Sequence, residues 1–191
     1  PVANDGWRAG TVEFRRTEGP DDDLGGWPAT FDDISLALSR RAPVPDGLPT
    51  IAIGHSAGGH LALLAANAGL VDAAVALAPI TDLEWCQREG LGENGTDLFL
   101  GVTGDEARPL YRVASPVELV PLGRPQLIVH GSSDDRVPVE QSRAYAARAR
   151  EAGDQAELIE HDGADHFVVI DPEHPTWSQV RTWIRSITPA A

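Results

Sequence analysis

Short apolar runs alternate with longer helical patterns along this chain, and that alternation leaves few folds open. Residues 50–54 (TIAIG), 73–78, 126–130 (QLIVH) and 156–160 read as strands, since each is a brief apolar run bounded by turn residues. Between and after them lie three helical patterns. Residues 57–68 form an Ala/Leu-rich helix closed by Gly69, and 139–152 a helix with Arg on its outer positions, stopped by Gly153. Residues 176–187 carry Trp177, Val180, Trp183, Ile184 and Ile187 at helical spacing. Upstream, 11–15 (TVEFR) alternate and predict a further strand, and 27–41 predict a helix on Phe31, Ile34, Leu36, Ala37 and Leu38. Residues 79–123 lack clean periodicity and leave room for two or three short helices. Strand–helix alternation implies a largely parallel sheet with helices on both faces. With 191 residues, no internal repeat and no linker-like tract, a single α/β domain over 1–191 is expected, with a short lid-like insertion at about 79–123.

Three loops in this frame carry reactive residue types, each at the C-terminal end of a strand, where open α/β sheets gather their functional groups. The first is Gly54-His55-Ser56-Ala57-Gly58, between strand TIAIG and an Ala-rich helix. A G-x-S-x-G segment in that setting holds its serine on a strained, tight turn, and flanking glycines relieve the crowding. Ser56 then lies beside a helix N-terminus, which favours negative charge, and the Ala57 amide is the natural donor to an oxyanion. The plainer alternative is that Ser56 only caps the helix. The second loop is His130-Gly131-Ser132-Ser133-Asp134-Asp135-Arg136-Val137-Pro138, where Asp134 is the candidate acid and helix capping by an Asp pair is the alternative. The third is Gly163-Ala164-Asp165-His166-Phe167, where His166 is either a base or ordinary surface decoration. Taken singly, the last two loops are ambiguous; the order Ser, Asp, His along the chain makes the joint reading the stronger.

The segments GHSAGGHLAL, HGSSDDRVPVEQS and GADHFVVIDP resemble the nucleophile, acid and histidine segments of α/β-hydrolase serine esterases. The resemblance is to the arylformamidase (kynurenine formamidase)-like group and the esterases near hormone-sensitive lipase, and the acid loop is also similar to that of the prolyl oligopeptidase family. VEFRR with GGWPATFDDISLAL, and ASPVEL, resemble further segments of that fold, so the likeness runs from about residue 6 to 184. It implies that Ser56 attacks the substrate, His166 takes its proton and Asp134 orients the imidazole. It also implies that Asp134, and not its neighbour Asp135, is the acid. The expected reaction is cleavage of a carboxylic ester or activated amide through an acyl-enzyme. A peptidase domain of the prolyl oligopeptidase kind and a non-catalytic relative remain as alternatives.

One family feature has no counterpart. An HGG-type loop after an earlier strand supplies further oxyanion donors in the family, whereas the one His-Gly pair here, His130-Gly131, ends the acid strand. The chain opens on Pro1 and contains no Met. It therefore reads as the C-terminal part of a hydrolase lacking its first strands, with TVEFR as the family's fourth strand and the third missing. Such a chain is expected to be a poor catalyst of marginal stability. Either TVEFR pairs directly with TIAIG, or it packs loosely and leaves an edge of TIAIG unpaired.

Composition narrows the partners. The net charge is −14, every one of the 15 basic residues is Arg, and so acidic a surface repels phosphate backbones. A small ester or amide is the expected partner, with neither nucleic acid nor membrane. No apolar run approaches the ~18 residues of a membrane helix, and the chain reads as cytoplasmic. No cofactor is implied, and no H-E-x-x-H or similar spacing suggests a metal. His55 and His60 are expected to be structural or pocket-lining, and His161 and His174 solvent-facing. Trp85, Leu91, Phe99 and Leu100 are expected to offer apolar wall to a substrate pocket.

Overall fold

The computed structural model describes residues 7–17, 24–44 and 47–188. Among them are four strands, β1 (Ile51–His55), β2 (Ala73–Leu77), β3 (Gln126–Gly131) and β4 (Ala156–His161), paired in parallel in the order β1-β2-β3-β4. Every residue of β2 and β3 is buried, while β1 is half-buried throughout and β4 is exposed at two positions. That difference follows from position: the central strands are covered on both faces and flanked on both sides, and near-continuous apolar sequence is what such strands require.

Each crossover steps one strand further in the same direction, and right-handed crossovers then place their helices on one face. On that face lie α1 (Ala29–Ser39), α2 (Ala57–Asn67) and α6 (Val139–Glu151), whose Ile34, Leu61, Leu64, Tyr145 and Ala149 pack with Ala74, Ala76 and Ile128 of the sheet. The opposite face is covered by α7 (Thr176–Ile187), with Val180, Trp183 and Ile184 against Val75, Leu77, Leu127 and Val129, and by Trp7. Helices on both faces, as expected, are thus divided unequally.

Residues 11–15 are not a strand. Their alternation finds no strand to pair with among the described residues, and the backbone amide and carbonyl of Arg15 bond to α1 instead. The Arg15 amide donates to Asp33 Oδ2 at 2.9 Å and Thr30 Oγ1 donates to the Arg15 carbonyl at 2.9 Å. The Arg15 guanidinium grips both oxygens of the same carboxylate, at 2.9 and 2.8 Å, and Phe14 packs into the core beside α1. Neither outcome expected for this segment is met in full: it does not pair with β1, yet at Phe14 and Arg15 it is held to α1 rather than packed loosely, and β1 has a single strand neighbour, β2, among the described residues.

Residues 79–123 contain α3 (Leu83–Glu89), α4 (Leu91–Leu100) and α5 (Arg108–Ala114), with short 3₁₀ turns at 104–107 and 116–118. Leu83, Leu100, Ala107, Tyr111 and Ala114 form a small core of their own, which Trp27 and Phe99 join. Gln87 ties it together: its amide nitrogen donates to Asp97 Oδ1 and to the Val102 carbonyl, and its oxygen accepts from the Tyr111 hydroxyl. Leu100 is therefore core rather than pocket wall. Phe99 is committed as well, with its ring centroid 6.2 Å from Trp27 and 5.6 Å from His60. Trp85 and Leu91 are half-buried. Among the described residues no helix is long and apolar enough to cross a membrane.

Candidate active site

At the end of β1 the chain turns into α2 on Ser56, whose φ and ψ of 55° and −119° fall where non-glycine residues rarely go. Neighbouring packing holds the turn. The Ser56 amide donates to the Leu77 carbonyl at the end of β2, at 2.9 Å, and the Ser56 carbonyl accepts from the His60 amide at 3.0 Å. A Cβ on Gly54 would fall inside the Gly58 carbonyl, so the turn closes only with glycine there, and one on Gly59 would meet Pro79 Cβ at 3.0 Å, a tight contact that Pro79 would have to relieve by a small shift. Gly58 is different: a Cβ there would enter open space. The crowding expected at both flanks of the serine is therefore real at Gly54, and its second seat is Gly59.

Ser56 makes no side-chain capping bond to α2, so capping does not account for it. Ala57 is the first residue of α2 and is exposed. Its amide belongs to the first turn, where the helix offers no acceptor.

Asp134 and His166 come from the loops after β3 and β4, and those loops are stitched together. The Ser132 hydroxyl donates to Asp162 Oδ1 at 3.0 Å and accepts from the Gly163 amide at 2.9 Å, while the Ser133 amide donates to the Ala164 carbonyl at 3.0 Å. Gly131 admits this approach, since a Cβ there would fall inside the Ala164 carbonyl. The outcome is a bond of 2.7 Å between His166 Nδ1 and Asp134 Oδ2, with the Asp134 side chain fully buried and the His166 ring almost so. Asp134 Oδ1 accepts the amides of Arg136 and Val137, at 2.9 and 2.8 Å. Burial pushes this carboxyl up, yet the hydrogen bonds from His130, His166, Val137 and Arg136 outweigh it and hold it well below the usual carboxylate range. Asp135 points away: its side chain is 83% exposed and lies 3.9 Å from Arg136 Nε.

His166 stands beside the elbow. Its ring centroid is 4.5 Å from that of His55, and His55 Nε2 donates to the His166 carbonyl at 2.8 Å. His55 thereby joins the serine's strand to the histidine's loop, and burial pushes its pKa below the ordinary value despite that bond. His60 is structural, as expected: buried, it donates to the Ala114 carbonyl at 2.6 Å, and burial brings its pKa down to about 4. His161 is not solvent-facing. It is half-buried, its Nε2 is enclosed without a hydrogen-bond partner among the described residues, and its ring packs edge-on to His174 at 4.6 Å.

Sequence reasoning overlooked His130. It is wholly buried at the end of β3, and its Nε2 reaches Asp134 Oδ2 at 3.1 Å and the Val137 carbonyl at 2.9 Å. The available signal was a titratable residue closing an apolar strand, four positions before the acid. No three His, Cys, Asp or Glu side chains among the described residues converge as metal ligands would.

Residues 43–183 match the sequence pattern of the prolyl oligopeptidase family. Esterase LipC of Mycobacterium tuberculosis is 30% identical over 196 residues, a match that takes in 89% of this chain and 47% of LipC. The chain thus spans about half the length of the curated relative it matches. Among solved structures, an acetyl ester-xyloside bifunctional hydrolase from Caldicellulosiruptor lactoaceticus superposes with a TM-score of 0.66 at 23% identity, over 85% of this chain and 67% of that one. A thermophilic esterase from Thermogutta terrifontis does so with a TM-score of 0.54 at 25% identity, over 71% of this chain and 54% of that one.

Proposed function

The chain belongs to the prolyl oligopeptidase family, and from that premise we propose that it is a serine hydrolase working through an acyl-enzyme, with Ser56 as nucleophile, His166 as general base and Asp134 as the orienting acid. Its parallel sheet with helices on both faces is the α/β-hydrolase fold. The observation that carries the proposal is the 2.7 Å bond from a nearly buried His166 to a buried, ionised Asp134, beside an elbow whose serine is spent on no cap. The carboxylate fixes the proton on Nδ1, which leaves Nε2 as the lone pair that can take a proton from Ser56.

In the first half-reaction the Ser56 oxygen bonds to the substrate carbonyl carbon and its proton passes to His166. The Ala57 amide, at the positive end of α2, donates to the oxyanion. His166 then hands the proton to the leaving group as the carbonyl–leaving-group bond breaks. Water attacks the acyl-enzyme by the same relay in reverse.

For the substrate, a small carboxylic ester ranks first, supported by the esterase name of LipC. An activated aryl amide, the reaction of the arylformamidase-like group, ranks second, and peptide cleavage of the prolyl oligopeptidase kind third. Residues 79–123 serve as the lid-like insertion in this reading. The test is a fluorophosphonate probe with peptide mapping: labelling confined to Ser56, and lost in His166→Ala, supports the proposal. An unlabelled Ser56 would overturn it.

A further inference from the structure

The acid of this site is shared. Asp134 Oδ2 accepts from His166 Nδ1 at 2.7 Å and, on its other side, meets His130 Nε2 at 3.1 Å. The partners of the His130 ring settle where its proton sits. Nε2 also lies 2.9 Å from the Val137 carbonyl, which can only accept, so Nε2 carries the hydrogen. Nδ1 is then the lone pair that takes the Ser142 hydroxyl proton at 2.7 Å. His130 and Ser142 are both fully buried, so neither can trade these partners for water.

We propose that His130 is a positioning residue for the hydrolytic site: with Ser142 behind it, it holds Asp134 Oδ2 on the line to His166 and limits how much of the carboxylate's charge the imidazole feels. The inference rests on the triad reading above. Four donors surround two oxygens, with the amides of Arg136 and Val137 on Oδ1 and two imidazoles on Oδ2. Rotating the carboxyl in either direction breaks at least one of these bonds, so it has a single satisfied orientation. A donor on an ionised acceptor also withdraws charge from it. Without His130 the carboxylate is freer to move, and whatever charge it directs at His166 is stronger.

These two effects leave different marks, and both can be read in the rate at which a fluorophosphonate labels Ser56 as a function of pH. Besides Asp134, the titratable group packed against His166 is His55 on β1, with Asp165 beside it in the loop; His130 faces Asp134 and, on its other side, Glu160 of β4, which Arg143 of α6 holds. All of these but His130 itself stay intact in the variants proposed. In His130→Leu we expect the plateau rate to fall about tenfold and the pH midpoint to rise by about half a unit, because a less shielded carboxylate favours imidazolium. His130→Gln, whose side-chain amide can reach the place of Nε2–H, should recover most of both. Ser142→Ala, which only frees the tautomer, should move the midpoint the same way by less. It also supplies the answer should His130→Leu not fold.

A purely structural His130 would lower the melting temperature of all three variants and leave the midpoint where it was. That result, in protein that still loses labelling on His166→Ala, would overturn this inference and leave the triad standing. An unlabelled parent chain, or labelling indifferent to His166→Ala, would bring down both.

Discussion

Where β1 runs into α2, the proposed nucleophile is held by shape; where β3 and β4 end, the proposed acid and base are held by hydrogen bonds and charge. Ser56 occupies strained backbone that closes because Gly54 has no Cβ, with Gly59 packed closely on Pro79, and its side chain makes no capping bond to α2. Asp134 and His166 sit on ordinary loops, yet every oxygen of the acid is engaged and the two loops are cross-linked through Ser132. The lesson is one of division. A nucleophile needs an unencumbered oxygen and a fixed approach, which backbone strain supplies. An acid–base pair needs a fixed charge and a fixed tautomer, which only polar contacts in a dry setting supply.

Predictions that test this division begin with the chemistry. Ser56→Ala or His166→Ala should lower turnover of an aryl acetate by about 10⁴–10⁶-fold, since triad members act as a unit. Residual turnover within tenfold of the parent would break the comparison at its root. Asp134→Asn should cost about 10⁴-fold through loss of the tautomer, whereas the exposed Asp135 should tolerate Asn within a few-fold. The reverse ranking would place the polar clamp on the wrong carboxylate.

Stability tests the side held by shape. Gly54→Ala drives a methyl into the Gly58 carbonyl and should destabilise by about 3 kcal/mol or more in urea unfolding. A mild effect would mean that the elbow is not sterically set.

Acid should then separate the two regions. His60, beside the elbow, is held neutral with a pKa near 4, so the unfolded chain binds its proton first as pH falls below about 6.5. Stability should therefore decline between about pH 6.5 and 4, by about 3 kcal/mol at most from this residue, and His60→Gln should flatten that slope in thermal melts. The carboxyl of Asp134 is depressed, so its contribution is intact above the unfolded value of about 3.9 and declines only below it. A single acid transition unchanged by His60→Gln would erase the contrast. The smallest effect belongs to Gly58→Ala, which should change stability by less than ~1 kcal/mol, and favourably, since alanine suits the first turn of a helix better than glycine.

Much of this could be read from residues alone where the physics is local. The span 176–187 was expected and found as a helix over the same residues, because its apolar stripe repeats at the helical period and Pro175 precedes its first turn. Strands β1 to β4 lie within a residue of their expected limits at each end, since compact apolar runs bounded by turns leave little choice. The failures involve partners that the chain supplies from a distance. TVEFR alternates as a strand should, but alternation says nothing about whether a neighbour exists, and Asp33 and Thr30 bond the backbone of its last residue, Arg15, instead. Leu100 read as available surface because its packing with Leu83, Tyr111 and Trp27 is not visible in the sequence. His130 escaped notice for a related reason. In sequence it is the last polar residue of a strand, and only the return of the loop onto it makes Asp134 its partner.

The sheet's spatial order is also its order of synthesis: β1, β2, β3, β4, each laid beside the one before. Over these four strands, a chain leaving the ribosome can therefore extend the sheet one strand at a time, in the order in which they are made. The elbow can be shaped once β2 offers the Leu77 carbonyl, whereas the loop of Asp134 is completed only when the loop after β4 returns to it. His166 comes last, on the loop after β4, so under the proposed triad a nascent chain halted anywhere before it carries Ser56 without the group proposed to activate it. Under that proposal, translation itself withholds reactivity until the scaffold that confines it has been built.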